Sequence, residues 1–267
     1  MSIPSPIRLD DFERAMEADP EVLGMFYFGS LGRGGATRHS DLDIFVVVPD
    51  SITEPYQEKL VSLLQLFGEI RWLLIPKGTG FVGPNWTQVD IEFAHREELQ
   101  PSHRYAGATV IKDSDGFLAA YAANCTPEEI VETPASAGAV IHEAIGDLLY
   151  QARNNARGAL WESRGNIVYQ CSLVYQLMGR LRGRRTYGFR YVEMLLTPDE
   201  HTLLAAAWPC DLSREENRRA ARALWVWTKY VWREAERVIG APLEVEVDEA
   251  GMLAAIDRLY EGTEHET

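Results

Sequence analysis

The chain has 267 residues, 46% of them hydrophobic and 25% charged, and a formal net charge of −14. That length can bury a substantial core in one large or two small domains, while the acidic balance argues against an extended nucleic-acid interface, whose affinity comes from clustered Lys and Arg. No run of eighteen or more apolar residues is available to span a membrane, and the opening MSIPSPIRLDDFERAM lacks the basic and apolar regions of a signal peptide.

Residues 7–19 form the first predicted helix, with Ile7, Phe12, Ala15 and Met16 as its apolar stripe. Val22 to Gly29 reads as a strand, and Leu42 to Val48 as a second one closed by Pro49-Asp50. Helical spacing of Leu60, Leu63, Leu64 and Phe67 predicts a helix over 54–67. Glu69 to Ile75 reads as a third strand, Pro76-Lys77-Gly78 as a turn, and the alternation in WTQVDIEFA, residues 86–94, as a fourth strand. Strands interrupted by one helix on a small mixed sheet give an α+β amino-terminal domain.

Residues 100–135 read as a transition, with Pro101, Gly107 and Gly116, a helix over 115–124 and a turn at Thr133-Pro134. The boundary is expected near residue 130, dividing the α+β domain over 1–130 from an all-helical bundle over 131–267. Residues 137–161, 164–183, 187–196, 198–207 and 213–240 favour helix, and 248–261 forms a last, acidic one. The 213–240 stretch opens on a capping-box pattern, Ser213 with Glu216, and stops at Gly240 and Pro242. Its aromatic run, Trp225, Trp227, Tyr230 and Trp232, is read chiefly as core packing.

Three cysteines, Cys125, Cys171 and Cys210, are far apart and odd in number. They fit neither a disulfide framework nor a zinc site, suit a reducing cytoplasm, and read as packing residues. Charge is unevenly spread: residues 1–120 carry −8, whereas 135–239 carry +4, with Arg supplying 14 of the 15 cations there. A guanidinium fork suits bidentate phosphate contacts, although most of these Arg read as decoration of solvated helix faces.

The chemistry concentrates in FYFGSLGRGGATRHSDLDIFVVV, residues 26–48. An apolar strand runs into Gly29-Ser30, a Gly-rich turn follows, and a second apolar strand opens with Asp41 and Asp43. Two residues apart on a strand, these carboxylates share a face. At about 6 Å and an effective dielectric of about 20 they repel by roughly 3 kcal/mol, which calls for a cation. The ordinary one is Mg²⁺, taken by one or two carboxylates together with substrate phosphates. Ser30 can open a helix whose free N–H groups and hydroxyl face a phosphate. The turn is not a Walker A loop, since it lacks the Gly-Lys-Ser/Thr ending, nor a dinucleotide fingerprint, since the third glycine is missing.

Gly29, Ser30, Asp41, Leu42 and Asp43 together resemble the signature of the nucleotidyltransferase superfamily that includes DNA polymerase beta. Among its branches the chain looks most like the small antibiotic nucleotidyltransferases, lincosamide nucleotidyltransferases in particular, through its length, its early motif and its helical second half. The motif match covers residues 22–93.

The resemblance implies in-line attack on the α-phosphorus of a nucleoside triphosphate, with ATP the expected donor, Mg²⁺ held by Asp41 and Asp43, and the outer phosphates held at Gly29 and Ser30. It also requires a third carboxylate on a later strand, for which Asp90 and Glu92 are the candidates. Asp90 is favoured as general base, because an acid on an apolar strand can have its pKa moved toward neutrality. Glu92 is the other candidate, for the base or for the acceptor site. Arg33 and Arg38 sit in the Gly-rich loop and are candidates for closing over the phosphates, as are Arg157 and Arg164 through a loose likeness to basic helical positions in lincosamide-type enzymes. His39 is a candidate contact to nucleotide or acceptor.

The expected acceptor is a hydroxyl of a small antibiotic such as a lincosamide or aminoglycoside, to which an acidic surface is suited. The expected state is a cytoplasmic homodimer with neither nucleic-acid nor membrane partner. The competing readings are a nucleotide-binding or partner-binding module and a nucleotidyltransferase acting on a protein.

Overall fold

A computed structural model describes residues 9–49, 58–74 and 78–261. It divides into two compact units, Met1–Glu128 and Glu129–Thr267.

The first unit is a mixed sheet with helices on both faces. Helix α1 (Leu9–Ala18) precedes β1 (Gly24–Tyr27), the single turn α2 (Gly29–Gly32) and β2 (Leu42–Val48). Helix α3 (Leu60–Gln65), β3 (Ile70–Leu74), β4 (Thr79–Val82), β5 (Thr87–His95), β6 (Thr109–Asp113) and α4 (Phe117–Asn124) follow. The strand order among the described residues is β3-β4-β5-β2-β1-β6. Only β2 and β5 pair in parallel; the other neighbours are antiparallel.

Alternation along β2 sorts its side chains onto two faces. Ile44, Val46 and Val48 join Phe12, Met16 and Leu64 in a core beneath α1 and α3. Phe45 and Val47 join Phe26, Phe28, Leu118 and Tyr121 in a second cluster, under α4 and the short 3₁₀ turn His103–Tyr105. Phe26 stacks on Phe45 with centroids 4.8 Å apart, and Tyr105 meets both edge-on. Asp43, two residues before Phe45, therefore lies on the face of this second cluster.

The second unit is helical: α5 (Pro134–Ala156), α6 (Leu160–Leu181), α7 (Val192–Leu195), α8 (Pro198–Ala206), α9 (Arg214–Ile239) and α10 (Glu249–Glu261). Helices α5, α6 and α9 supply most of its core, including Ile141, Leu148, Val174, Tyr175, Leu224 and Trp227. Among the described residues, no helix is long and apolar enough to cross a membrane.

Several expectations are corrected. Among the described residues the sheet has six strands rather than four. Strand β4 escapes notice because Gly80 interrupts it; a Cβ there would lie 2.7 Å from Leu64 Cδ1, so the strand packs closely against α3 at this point. Strand β6 lies inside the stretch read as a transition. Thr133-Pro134 is not a turn but the start of α5: Thr133 accepts the Ser136 N–H in a capping box, and Pro134 occupies the first turn, where no backbone donor is needed. The helix expected over 187–196 shrinks to Val192–Leu195, behind Tyr191 at φ +68°.

Ser213 does cap α9, but Glu216 turns its carboxylate to the Cys210 N–H at 2.6 Å instead of completing the box. Cys125 and Cys171 are buried, whereas Cys210 is exposed and is not a packing residue. Trp225 and Trp227 are buried, in keeping with their reading as core packing, and Trp227 stacks at 5.8 Å on Tyr230, which is itself 37% exposed. The expectations for residues 7 and 8, Asp50, 54–57, Ile75 and Pro76-Lys77 lie outside the described residues.

One buried carboxylate ties three elements of the helical unit together. Glu200 accepts from the Thr197 N–H at 2.7 Å, from Arg182 Nη2 at 2.6 Å and from the Tyr230 hydroxyl at 2.8 Å. Burial by itself would raise its pKa; the hydrogen bonds from Arg182, Thr197 and Tyr230 outweigh that and hold it down at about 2. A carboxyl depressed in the folded state stabilises above its unfolded value of 4.5, and the effect fades as pH falls toward 2. Glu200→Gln is therefore expected to lose about 2 kcal/mol at pH 7. Urea unfolding of variant and wild type should show that gap closing below about pH 4.

Candidate active site

The acidic site is built by register. In the parallel pair, Asp43 of β2 lies directly beside Asp90 of β5. Asp41 stands one residue before β2, behind a turn in which the Ser40 Oγ accepts the Thr37 N–H at 2.9 Å. One carboxylate oxygen each from Asp41, Asp43 and Asp90 can be chosen so that all lie within 4.8 Å of one another. Three like charges at that spacing repel strongly. Burial, then Asp41 and Asp90, push the Asp43 carboxyl up to about 6, against the lowering influence of Arg104.

The turn after β1 is shaped around this cluster. Gly29 has φ +61°, and a Cβ there would meet Asp43 Oδ2 at 1.9 Å. Only glycine accommodates both that dihedral and that approach. Ser30 follows, its Oγ buried and without a hydrogen-bond partner. The turn closes through Gly32 N–H to Phe28 O at 2.8 Å and Gly35 N–H to Ser30 O at 2.9 Å.

Asp90 and Glu92 share a strand face but have different surroundings. Gln88 Nε2 donates to Asp90 Oδ2 at 2.8 Å, while Asp90 Oδ1 is buried and unpartnered. Glu92 is already engaged: Arg104 donates to both of its oxygens, one contact at 3.1 Å, and the Tyr105 hydroxyl donates at 3.2 Å. The Arg104 guanidinium is in turn seated over the Phe28 ring at 5.0 Å. A carboxylate committed to an ion pair is poorly placed to take a proton, so the surroundings favour Asp90 of the two.

Sequence reading missed Arg104, Tyr105 and Gln88. Ser102-His103-Arg104-Tyr105 sits in a stretch without periodicity, and only the fold carries it to the acidic face. Gln88 is two residues before Asp90 on the same strand face, so alternation alone could have found it.

The remaining candidates lie as follows. Arg33 is the exposed residue that ends α2. Arg38 Nε donates to His39 Nε2 at 2.9 Å, both side chains exposed. Arg157 and Arg164 belong to the helical unit. Arg157 ends α5, donates to Asn154 Oδ1, and lines a cavity of about 350 Å³ with Tyr150, Arg153, Ala156 and Leu259. Arg164 donates to the Pro209 carbonyl at 3.0 Å.

The donor set suits a divalent cation. All three clustered side chains are oxygen ligands, the set carries excess negative charge, and the burial of Asp43 rewards neutralisation.

Residues 9–79 match the nucleotidyltransferase domain family. The matched stretch contains Gly29, Ser30, Asp41 and Asp43 and ends before Asp90. No curated protein matches the chain. Among solved structures, an aminoglycoside 6-adenyltransferase from Bacillus subtilis is 11% identical, with a TM-score of 0.44 over 94% of this chain and 97% of that one. A nucleotidyltransferase-like protein from Exiguobacterium sibiricum 255-15 is 10% identical, with a TM-score of 0.40 over 85% of this chain and 75% of that one. The family match identifies a nucleotidyltransferase domain over residues 9–79, within the amino-terminal unit.

Two substitutions test the geometry without a substrate. Gly29→Ala is expected to lose about 2 kcal/mol or more, from the dihedral and the clash with Asp43, and to weaken Mn²⁺ or Mg²⁺ binding in calorimetric titration. Asp43→Asn should do the opposite to the metal-free protein. A carboxyl raised to about 6 in the folded state leaves the native form holding more protons than the unfolded one between about pH 4 and 6. Stability from this group therefore falls as pH rises through that window. Asp43→Asn should gain about 1 kcal/mol at pH 7, allowing for partial solvent screening, and should flatten that part of the urea-unfolding pH profile.

Proposed function

We propose that the protein transfers a nucleoside monophosphate, AMP from ATP, to a hydroxyl of a small molecule and releases pyrophosphate. The observation that carries this reading is the side-by-side placement of Asp43 and Asp90 with Asp41, at a turn whose glycine touches the cluster and whose serine hydroxyl is unpartnered.

Asp41 and Asp43 would hold Mg²⁺, which neutralises triphosphate charge when bound. Ser30 Oγ and the N–H groups of the turn orient the outer phosphates. Asp90 Oδ1 accepts the proton of the acceptor hydroxyl, while Gln88 fixes the other oxygen. The acceptor oxygen forms a bond to the α-phosphorus as the bond from that phosphorus to the β-bridging oxygen breaks, and the electron pair leaves with pyrophosphate. Positioning and electrostatics supply most of the rate. Arg104 keeps Glu92 from competing for the proton and adds a positive charge near Asp43. Exposed Arg33 and Arg38 are the cations of this unit available to the leaving group from the turn.

Resemblance to the antibiotic branch supports a lincosamide or aminoglycoside as acceptor, and ATP as donor supports a cytoplasmic site of action. The test is pyrophosphate release with Mg²⁺ and each of the four nucleoside triphosphates, against a panel of both drug classes. Drug-dependent release that vanishes in the Asp41→Asn/Asp43→Asn double variant is expected. Asp90→Asn should lower kcat by about 10² to 10⁴ while triphosphate binding survives. Metal-dependent ATP binding with no release for any drug would overturn the small-molecule reading and favour a protein acceptor or a binding module.

A further inference from the structure

The sheet face that bears Asp90 continues past it onto an aromatic surface that neither core cluster takes in. In the antiparallel pair β4/β5, Thr79 lies opposite Asp90 and Phe81 opposite Gln88. In β3/β4, Trp72 lies opposite Phe81. Paired residues share a face, so Asp90, Gln88, Phe81 and Trp72 lie on one side of the sheet, stepping outward across three strands. Trp72 and Phe81 touch, with centroids 5.5 Å apart, and Trp72 is 50% exposed. Leu73, by β alternation, and Ile70, across the register irregularity that separates it from Trp72, pack into the core on the opposite face. Trp72 thus has no packing role that would account for a large indole left in water.

Strand order separates this shelf from the triphosphate end. Gly29 and Ser30 follow β1, on the β2 side of Asp90, while Phe81 and Trp72 lie on the β4 and β3 side. Gln88 joins the shelf to the acidic cluster: it faces Phe81 across the ladder and donates to Asp90 Oδ2, leaving Oδ1 unpartnered.

We infer that Trp72 and Phe81 form the platform for the acceptor, a ring alcohol whose C–H face lies on the two aromatic rings while its hydroxyl reaches Asp90. Ligand sites combine an apolar wall with a few polar groups that fix orientation, and here the wall is aromatic and the polar group is a carboxylate with a free oxygen. Asp41, Asp43 and Asp90 make the inner end of the shelf acidic, so amino substituents on such a ring are favoured there. This inference rests on the transfer reaction proposed above.

The test measures the KM of acceptor and of ATP separately, using the full chain, Mg²⁺, and kanamycin, lincomycin and methyl glucoside as probes. Trp72→Ala and Phe81→Ala should each raise the KM of the acceptor that is turned over by about tenfold, with ATP KM within about twofold of wild type. Trp72→Phe should recover most of the loss. An unchanged acceptor KM in both Ala variants overturns the platform, and so does a rise in ATP KM in its place, which would give the shelf to the nucleotide base. If no probe is turned over, the transfer reading fails separately. The shelf is then decided by tryptophan fluorescence of wild type minus Trp72→Phe during titration with the same compounds. A saturable change supports the platform, and no change with any probe overturns it.

Discussion

The parallel pairing of β2 with β5 is the constraint to which the rest of the catalytic unit responds. It sets Asp43 beside Asp90, with Asp41 close enough for three carboxylate oxygens to share one small volume. Two charges about 5 Å apart repel by about 3 kcal/mol at an effective dielectric of about 20, and the third adds to this. Several features then follow from one cause. Gly29 must be glycine because its φ is positive and a Cβ there would collide with the Asp43 carboxylate. Arg104 sits where it can moderate Asp43, and it is itself anchored through Glu92 and the Phe28 ring. The folded chain tolerates the remaining repulsion because apolar packing on both faces of β2 holds the strands in register.

What could be read in the sequence was what is local along the chain. Gly29, Ser30, Asp41 and Asp43 lie within fifteen residues, and strand alternation is enough to place the two aspartates on one face. Asp90 was legible for the same reason, as an acid on a strongly alternating strand. The choice between Asp90 and Glu92 was not, because it depends on Arg104 and Tyr105, which arrive from an aperiodic loop after β5. Strands β4 and β6 were missed because one is four residues long with an internal glycine and the other has no turn signal that separates it from its surroundings. Thr133-Pro134 shows the opposite difficulty. The same dipeptide is turn chemistry and helix-start chemistry, and only the apolar stripe that follows decides between them.

The helical unit shows where its excess of cations goes. Most of its Arg read as decoration of helix faces, and Arg182, Arg218, Arg219, Arg222 and Arg237 are paired there with carboxylates of the same unit. Arg164 is committed to a backbone carbonyl. A local excess of cations in the sequence is thus largely consumed as internal structure. Arg153 and Arg157 line a cavity, where the α5 carboxyl-terminal dipole already gives a sufficient reason for positive charge.

The proposed transfer rests on the contrast between two neighbouring carboxylates on one strand. Glu92 and Asp90 point to the same side, and residue type alone would make them equivalent acids. Their environments separate them. Glu92 has its hydrogen-bonding capacity taken by a guanidinium and a phenol, so protonating it would break an ion pair. Asp90 accepts one bond from a neutral amide and keeps a second oxygen buried and unpaired. A buried acceptor with no partner is costly in a resting protein, and it persists where a ligand completes it. The orphaned oxygen of Asp90 and the orphaned hydroxyl of Ser30 flank the acidic cluster, one on β5 and one beyond β1. A molecule satisfying both must bring a proton donor to one side and an acceptor-rich group to the other, which is the chemical description of a hydroxyl meeting a triphosphate.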